Sequence, residues 1–165
     1  MSLRYRLVTK NDAALLTKHR NENRHCFFDS GAVTEEQTLT WIIGNLQNSK
    51  DFMFIVEEEQ YEASSTNYIP VGQFSVYNVM QGDRAKCGRV IRYRDNYILN
   101  SSYFVGSCFE IIKHISSLYN LHTLVAEVYA WNKPSLMFFA KLGFHVCTIE
   151  NENTSKAVFE LVKKV

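Results

Sequence analysis

Two stretches of this sequence carry side chains whose types and spacing could do chemistry. In the first, Arg20, Asn21, Asn23, Arg24 and His25 crowd together, and Phe27, Phe28, Asp29, Ser30 and Gly31 follow. Guanidinium groups are forked donors that match phosphate oxygens, so Arg20 and Arg24 can hold a diphosphate. Phe27, Phe28 and, further on, Trp41 offer faces that stack on a base or a sugar. His25 suits proton transfer, because an imidazole ordinarily titrates near ~6.5. Asp29 can pair with an amine. A solvated basic helix end has the same composition, so both readings stand here. The second stretch runs from Trp131 to Phe144. Asn132 can cap a helix through its side-chain oxygen. Pro134 fits the first turn, and Gly143 closes the helix where a positive φ is cheapest without a Cβ.

These groups need elements to hold them. Residues 3–8 alternate apolar and basic, as a half-buried first strand does. Asn11 can cap a helix over 12–23 that ends in the Arg20–His25 cluster. Thr34-Glu35-Glu36-Gln37 spells a capping box. Leu39, Ile42, Ile43 and Leu46 then fall at i, i+3, i+4 and i+7, one apolar helical face with Trp41 off it. Residues 52–57 read as a short strand, and 58–67 as a polar loop or hairpin connection. Residues 69–79 form a long strand, Gln81-Gly82-Asp83 its turn, and 84–94 a returning strand. A helix over 101–118 presents a broad apolar face. A strand over 121–129 leads into the Asn132 helix, and strands over 145–149 and 157–162 close the chain. The order β-α-α-β-β-β-α-β-α-β-β is α+β in character, without the strict alternation of a doubly wound fold. No repeat, low-complexity tract or linker interrupts it, so a single domain over 1–165 is expected.

Composition narrows the function classes. Apolar residues make up 46%, enough for a real core. The formal net charge is +1, which creates no global field for nucleic acid or acidic membrane, so neither partner is expected. Cys26, Cys87, Cys108 and Cys147 form no C-x-x-C pair, and the histidines show no metal spacing, so no metal is expected. The N-terminus has no apolar signal core and no run is long enough to span a bilayer, so a reduced, cytoplasmic protein is expected.

Asn132, Ser135, Leu142, Gly143 and Phe144, placed after a strand near the end of the chain, match the pattern N-x-x-S-x-x-x-x-x-x-L-G-F. The stretch resembles the C-terminal motif of the GNAT N-acetyltransferase superfamily, and the element order is similar to that family's as well. The resemblance implies the GNAT fold, a mixed α/β architecture whose central, mostly antiparallel seven-stranded sheet is flanked by about four helices. It implies an acetyl-CoA-dependent N-acetyltransferase, with acetyl-CoA as co-substrate and no metal. Val90, Ile91 and Arg92 fall on the strand that, in the family, splays from its neighbour and pairs with the pantetheine arm like an added strand. A backbone N–H there polarises the thioester carbonyl. By register, the family's phosphate loop falls on Tyr97-Ile98-Leu99-Asn100-Ser101-Ser102, which keeps the spacing but has neither the basic residue nor the glycines. The resemblance assigns Asn100, Ser101, Ser102 and Tyr103 to the phosphates, through backbone amides at a helix N-terminus. An ordinary capped helix start is the alternative.

The same resemblance assigns Asn132 to a hydrogen bond with the cofactor or a bridging water, and Ser135 and Phe138 to the cofactor arm. The Tyr that serves many relatives as acid corresponds to Phe139. His25 and Asp29 lie in the segment that forms the acceptor side and are the candidates for base or counter-ion; Glu127 lies on the strand leading into the site or on its solvent face. Residues 20–29, Val33-Thr34-Glu35-Glu36, Trp41 and Gly88-Arg89-Val90-Ile91 are similar to RimJ/RimL-like enzymes. They are still more similar to the branch that acetylates nucleotide-linked amino sugars. That implies Arg20, Arg24, Phe28 and Trp41 as acceptor contacts and a small-molecule amine as substrate. A protein N-terminus or lysine, and a non-catalytic acyl-CoA-binding role, are the alternatives. The resemblance leaves room for a homodimer.

Overall fold

In the computed structural model, residues 3–62, 65–93, 101–150 and 158–165 are described. The strands are β1 (Leu3–Leu7), β2 (Asp51–Glu62), β3 (Ser65–Tyr77), β4 (Arg84–Arg92), β5 (Thr123–Tyr129), β6 (His145–Glu150) and β7 (Val158–Lys164). The helices are α1 (Ala13–Glu22), α2 (Glu35–Leu46), α3 (Ser101–Tyr119) and α4 (Lys133–Lys141). The strands form one seven-stranded sheet in the order β1-β2-β3-β4-β5-β7-β6. Every neighbouring pair is antiparallel except β4 and β5, which are parallel. Among the described residues this is the mixed, mostly antiparallel sheet with four α-helices that the family resemblance implies.

Local chemistry sets the boundaries. The Thr34 hydroxyl accepts from Gln37 N–H at 3.2 Å and the Gln37 side chain accepts from Thr34 N–H at 2.8 Å, so the expected capping box starts α2. The start of α1 differs from expectation. Asn11 is exposed, and a 3-10 turn over Lys10–Asp12 precedes the helix. Asp12 accepts from the backbone N–H of Thr9 at 2.7 Å and from its hydroxyl at 3.0 Å. A bidentate pair with Arg6 of β1, both contacts at 2.8 Å, anchors that carboxylate and decides where the helix begins.

The polar run after residue 57, expected as a loop or hairpin connection, continues both strands of an antiparallel pair. β2 continues to Glu62 and pairs with β3 down to Glu62↔Ser65. Glu57 is 4% exposed yet tolerated in the strand, because Arg4 and Arg6 of β1 donate to its two oxygens at 2.8 and 2.7 Å. A cross-strand ion pair of this kind leaves no mark in a local sequence window.

One face of the sheet packs on α3 and α4: Phe54, Val56, Phe74 and Val76 meet Cys108, Ile111, Ile112, Ile115, Phe139 and Leu142. The other face packs on α1 and α2, with Leu16 and Ile42 against Met53 and Ile55. Between these layers the middle of the sheet comes apart. β4 and β5 pair only at Arg84↔Thr123, Ala85↔Leu124 and Lys86↔Val125. Beyond that point β4 runs on to Arg92 and β5 to Tyr129 without pairing to each other. Lys86 and Glu127, 2.5 Å apart, sit at the branch.

Candidate functional site

The parted strands open a cleft of about 610 Å³. Val90, Ile91 and Arg92 form one wall, from β4, and Phe104 and Val105 close it from the first turn and a half of α3. The opposite wall is α4, with Asn132, Lys133, Pro134, Ser135, Met137, Phe138 and Lys141. Asn23, His25, Cys26, Phe27 and Trp131 complete the rim. Asn132 is 6% exposed, and its side-chain oxygen accepts from Ser135 N–H at 3.3 Å, so the expected cap holds and orients the helix at the cleft. Phe138 stacks obliquely on Phe104, ring centres 5.9 Å apart, and on Phe74 at 6.2 Å, giving the cleft an apolar floor. Arg92, Lys133 and Lys141 supply positive charge, and among the described residues no carboxylate lines the cleft. A polyanion bearing an apolar arm fits such a lining.

The β4 wall is shaped by a bulge. Gln73 pairs with Ile91 but Ser75 pairs with Gly88, so β4 holds one residue more than β3 across that step. Arg89 takes up the difference with φ +50, unusual for a residue with a Cβ. Gln73, 4% exposed, donates to the Arg89 carbonyl at 3.1 Å and accepts from the Tyr93 hydroxyl at 3.0 Å. Burial drives the Tyr93 phenol well above its ordinary value, so it stays a neutral donor. The Arg89 guanidinium grips Asp51 at 2.7 and 3.2 Å and lies over the Tyr77 ring, 4.2 Å from its centre.

On the other side of the bulge lies a second, smaller cavity of about 220 Å³. Its walls are Leu16, Arg20, Phe27, Val33, Gln37, Thr38, Trp41, Met53, Gln73 and Arg89. Phe27 belongs to both cavities, and Arg89 precedes Val90 of the cleft, so the two spaces adjoin. The Arg20 guanidinium lies over the Phe27 ring, 4.2 Å from its centre, and its Nη2 donates to the Asp29 carbonyl. Desolvation lowers the Arg20 pKa from the usual guanidinium value, and the nearby Asp29 charge offsets that only in part.

The structure thus brings most of the expected site residues to two adjoining spaces. Val90, Ile91, Arg92, Asn132, Ser135, Phe138 and His25 line the cleft; Arg20 and Trp41 line the smaller cavity. Ser102 and Tyr103 are exposed in the first turn of α3, next to Phe104. Ser101 begins that helix, and Asn100 lies outside the described residues. Arg24, Phe28 and Asp29 are in the wall of neither space. Phe28 is exposed and meets Tyr129 edge-on at 4.8 Å, and Asp29 accepts from Gly31 N–H at 3.0 Å through its carboxylate. Phe139 is 2% exposed between Phe138 and Phe144 in the core. Glu127 is exposed and paired with Lys86.

Gln73, Lys133 and Lys141 join the site without a role that the sequence assigns them, and Arg89, quoted there only within a motif, shapes the wall between the two spaces. Pro134, Phe138 and Lys141 at i, i+4 and i+7 carry a readable helical face, whereas nothing local marks Gln73. Among the described residues no group of three His, Cys, Asp or Glu side chains could hold a metal, and no helix is long and apolar enough to cross a membrane.

Comparison with known proteins gives a concordant picture. Residues 2–145 match a family model described as an acetyltransferase (GNAT) domain. No curated protein sequence matches. Among solved structures, spermidine N-acetyltransferase from Vibrio cholerae in complex with CoA and spermine overlays with a TM-score of 0.79 at 13% identity, covering 98% of this chain and 95% of that one. RimL, a ribosomal L7/L12 alpha-N-protein acetyltransferase in complex with coenzyme A, gives 0.76 at 12%, covering 100% and 95%. FdhC, a nucleotide-linked sugar GNAT, gives 0.73 at 17%, covering 99% and 86%. Likeness at such identities is a likeness of fold.

Proposed function

The chain belongs to the GNAT acetyltransferase family, and from that premise we propose that it moves an acetyl group from acetyl-CoA to the primary amine of a small-molecule acceptor, with a nucleotide-linked amino sugar as the favoured example. The observation that carries this reading is the opening between β4 and β5, lined by Arg92, Lys133 and Lys141 and, among the described residues, by no carboxylate. Bound acetyl-CoA supplies an acyl carbon activated as a thioester. Arg92, Lys133 and Lys141 offset the charge of phosphates, and the α3 N-terminus beside Phe104 adds its dipole. The β4 edge at Val90 and Ile91 offers backbone groups to an extended arm, as a sheet edge does to an added strand. Asn132 and Ser135 fix the opposite side of that arm.

Transfer forms one C–N bond and breaks one C–S bond, and the amine gives up one proton. His25, on the cleft rim, is the proposed acceptor of that proton. Phe139 carries no acidic hydroxyl, so sulfur departs as a thiolate, a tolerable leaving group with thiol pKa values near ~8.5. CoA-binding neighbours and neighbours whose names give amine substrates support the reading. No disulfide joins the cysteines among the described residues, in keeping with the cytoplasmic setting proposed.

A thiol-release assay with purified protein tests the proposal. Turnover is expected with amino-sugar nucleotides and other small amines. Turnover confined to peptides with free N-termini or lysines would move the acceptor to the protein class. Acetyl-CoA binding without release from any amine would leave a non-catalytic acyl-CoA-binding protein.

A further inference from the structure

The smaller cavity carries an unmet electrostatic demand. Among the described residues no carboxylate lines it. Its two guanidinium groups differ sharply. Arg89 is neutralised by a bidentate contact with Asp51. Among the described residues Arg20 meets a backbone carbonyl through Nη2, while its Nη1 is shut off from solvent and finds no hydrogen-bond partner there. The Asp29 carboxylate, whose charge acts on Arg20, accepts from the Gly31 N–H. A buried, unpartnered donor on a charged group is costly and seeks an anionic acceptor. The other polar side chains are already engaged: Thr38 by Thr17 and Thr34, Gln37 through its oxygen by the Thr34 N–H, and Gln73 at both ends. Phe27, beneath the Arg20 guanidinium, and Trp41, beneath that of Arg89, give the cavity aromatic walls.

We infer that Arg20, through its inner Nη1, selects acceptors that carry an oxyanion as well as the reacting amine, and that the cavity rejects polyamines. This rests on the acetyltransferase reading above. The oxyanion sits on Arg20, the body of the acceptor lies against Phe27 and Trp41, and the amine reaches past Phe27 into the cleft. A carboxylate or a phosphate meets the same demand. A second cationic centre, as in spermidine, would face Arg20 with no carboxylate to receive it.

Acceptor pairs differing in one charge read this out. The wild-type protein is assayed for kcat/KM with glucosamine and glucosamine 6-phosphate, with an amino acid and its amide, and with spermidine. The anionic member of a pair is expected to lead by at least about tenfold. A lead in the phosphate pair alone, or in the amino-acid pair alone, identifies which oxyanion is meant. In Arg20→Gln the lead should collapse to within about threefold, and Arg20→Lys should restore part of it because charge remains without the fork. Spermidine as the best acceptor, or an anionic preference untouched in Arg20→Gln, overturns the inference.

Should no amine release thiol, the acetyltransferase reading fails separately, and binding decides the Arg20 assignment. Calorimetric titration of inorganic pyrophosphate into the CoA-saturated protein should then show a site that Arg20→Gln loses by at least about tenfold. Equal binding, or none in wild type, overturns it.

Discussion

Gln73 donates its amide to the backbone carbonyl of Arg89 at 3.1 Å, and so clamps the bulge that separates the two cavities. The same side chain receives the Tyr93 hydroxyl at 3.0 Å. Replacing Gln73 with Leu strands two buried polar groups. A loss of about 2–3 kcal/mol in unfolding free energy is expected, from chemical denaturation. Because the bulge carries Val90 and Ile91, KM for acetyl-CoA should rise by about threefold to tenfold in the folded variant, read by steady-state kinetics. A stability loss with KM unchanged would confine Gln73 to the core.

Gly72 lets the β4 wall and α3 approach. A Cβ there would meet the Phe104 ring and stand 2.8 Å from the Ile91 carbonyl oxygen. Gly72→Ala should therefore cost about 1–3 kcal/mol and weaken acetyl-CoA binding, since both neighbours line the cleft. A thermal melt and a binding titration check the two effects. An alanine that is silent in both would mean that Phe104 swings aside freely.

Asn132 separates capping from binding. Asn132→Ala removes the acceptor for Ser135 N–H and should cost about 1 kcal/mol. Asn132→Asp keeps a capping oxygen, so stability should stay within about 0.5 kcal/mol of wild type. The added negative charge sits in a cleft whose cations are Arg92, Lys133 and Lys141, and affinity for acetyl-CoA should fall by about tenfold or more. Equal affinity in Asn132→Asp would contradict the placement of Asn132 against the cofactor.

Asp12 sets an acid limit on stability. Its burial raises the carboxyl pKa, but hydrogen bonds from Arg6 and Thr9 outweigh that and hold it below the ordinary 3.8. The unfolded chain therefore binds the proton more tightly than the folded one. The contribution is full above about pH 4 and drains away as pH falls through the depressed folded value. Wild type should lose stability on acidification across that window. Asp12→Asn should lose about 2–3 kcal/mol at neutral pH and show a shallower acid slope. Parallel slopes in the two proteins would assign the acid sensitivity elsewhere.

Much of the architecture is legible in the sequence because it is written in local terms. Thr34 and Gln37 announce α2, Asn132, Pro134 and Gly143 frame α4, and the apolar run of α3 tells of a helix lying on a sheet. What escapes is decided across strands. The run from Glu58 reads as a loop or hairpin connection, yet β2 continues through it to Glu62 by pairing with β3, and the Arg4 and Arg6 that hold Glu57 lie on a strand far off in sequence. The helix start shifts from Asn11 to Thr9 and Asp12 because Arg6 holds the Asp12 carboxylate. The site divides in the same way. Val90, Asn132 and Ser135 follow from motif spacing, whereas Gln73 and Asp51 act on Arg89 through folds of the chain that no window of sequence contains. Arg20 and Arg24 look equivalent on paper, and only the packing of Phe27 and Val33 draws Arg20 into a cavity and leaves Arg24 on the surface.

Calorimetric titration of acetyl-CoA into the purified protein, and into a Ser135→Trp variant that fills the cleft from α4, bears most directly on the parted strands. The wild type should take up one equivalent with a dissociation constant on the order of 10–100 µM, inside the ordinary range of substrate affinities. The variant should fold with a similar melting temperature and take up none. Absence of heat with the wild type, or undiminished binding by Ser135→Trp, would contradict a cofactor seat between β4 and β5.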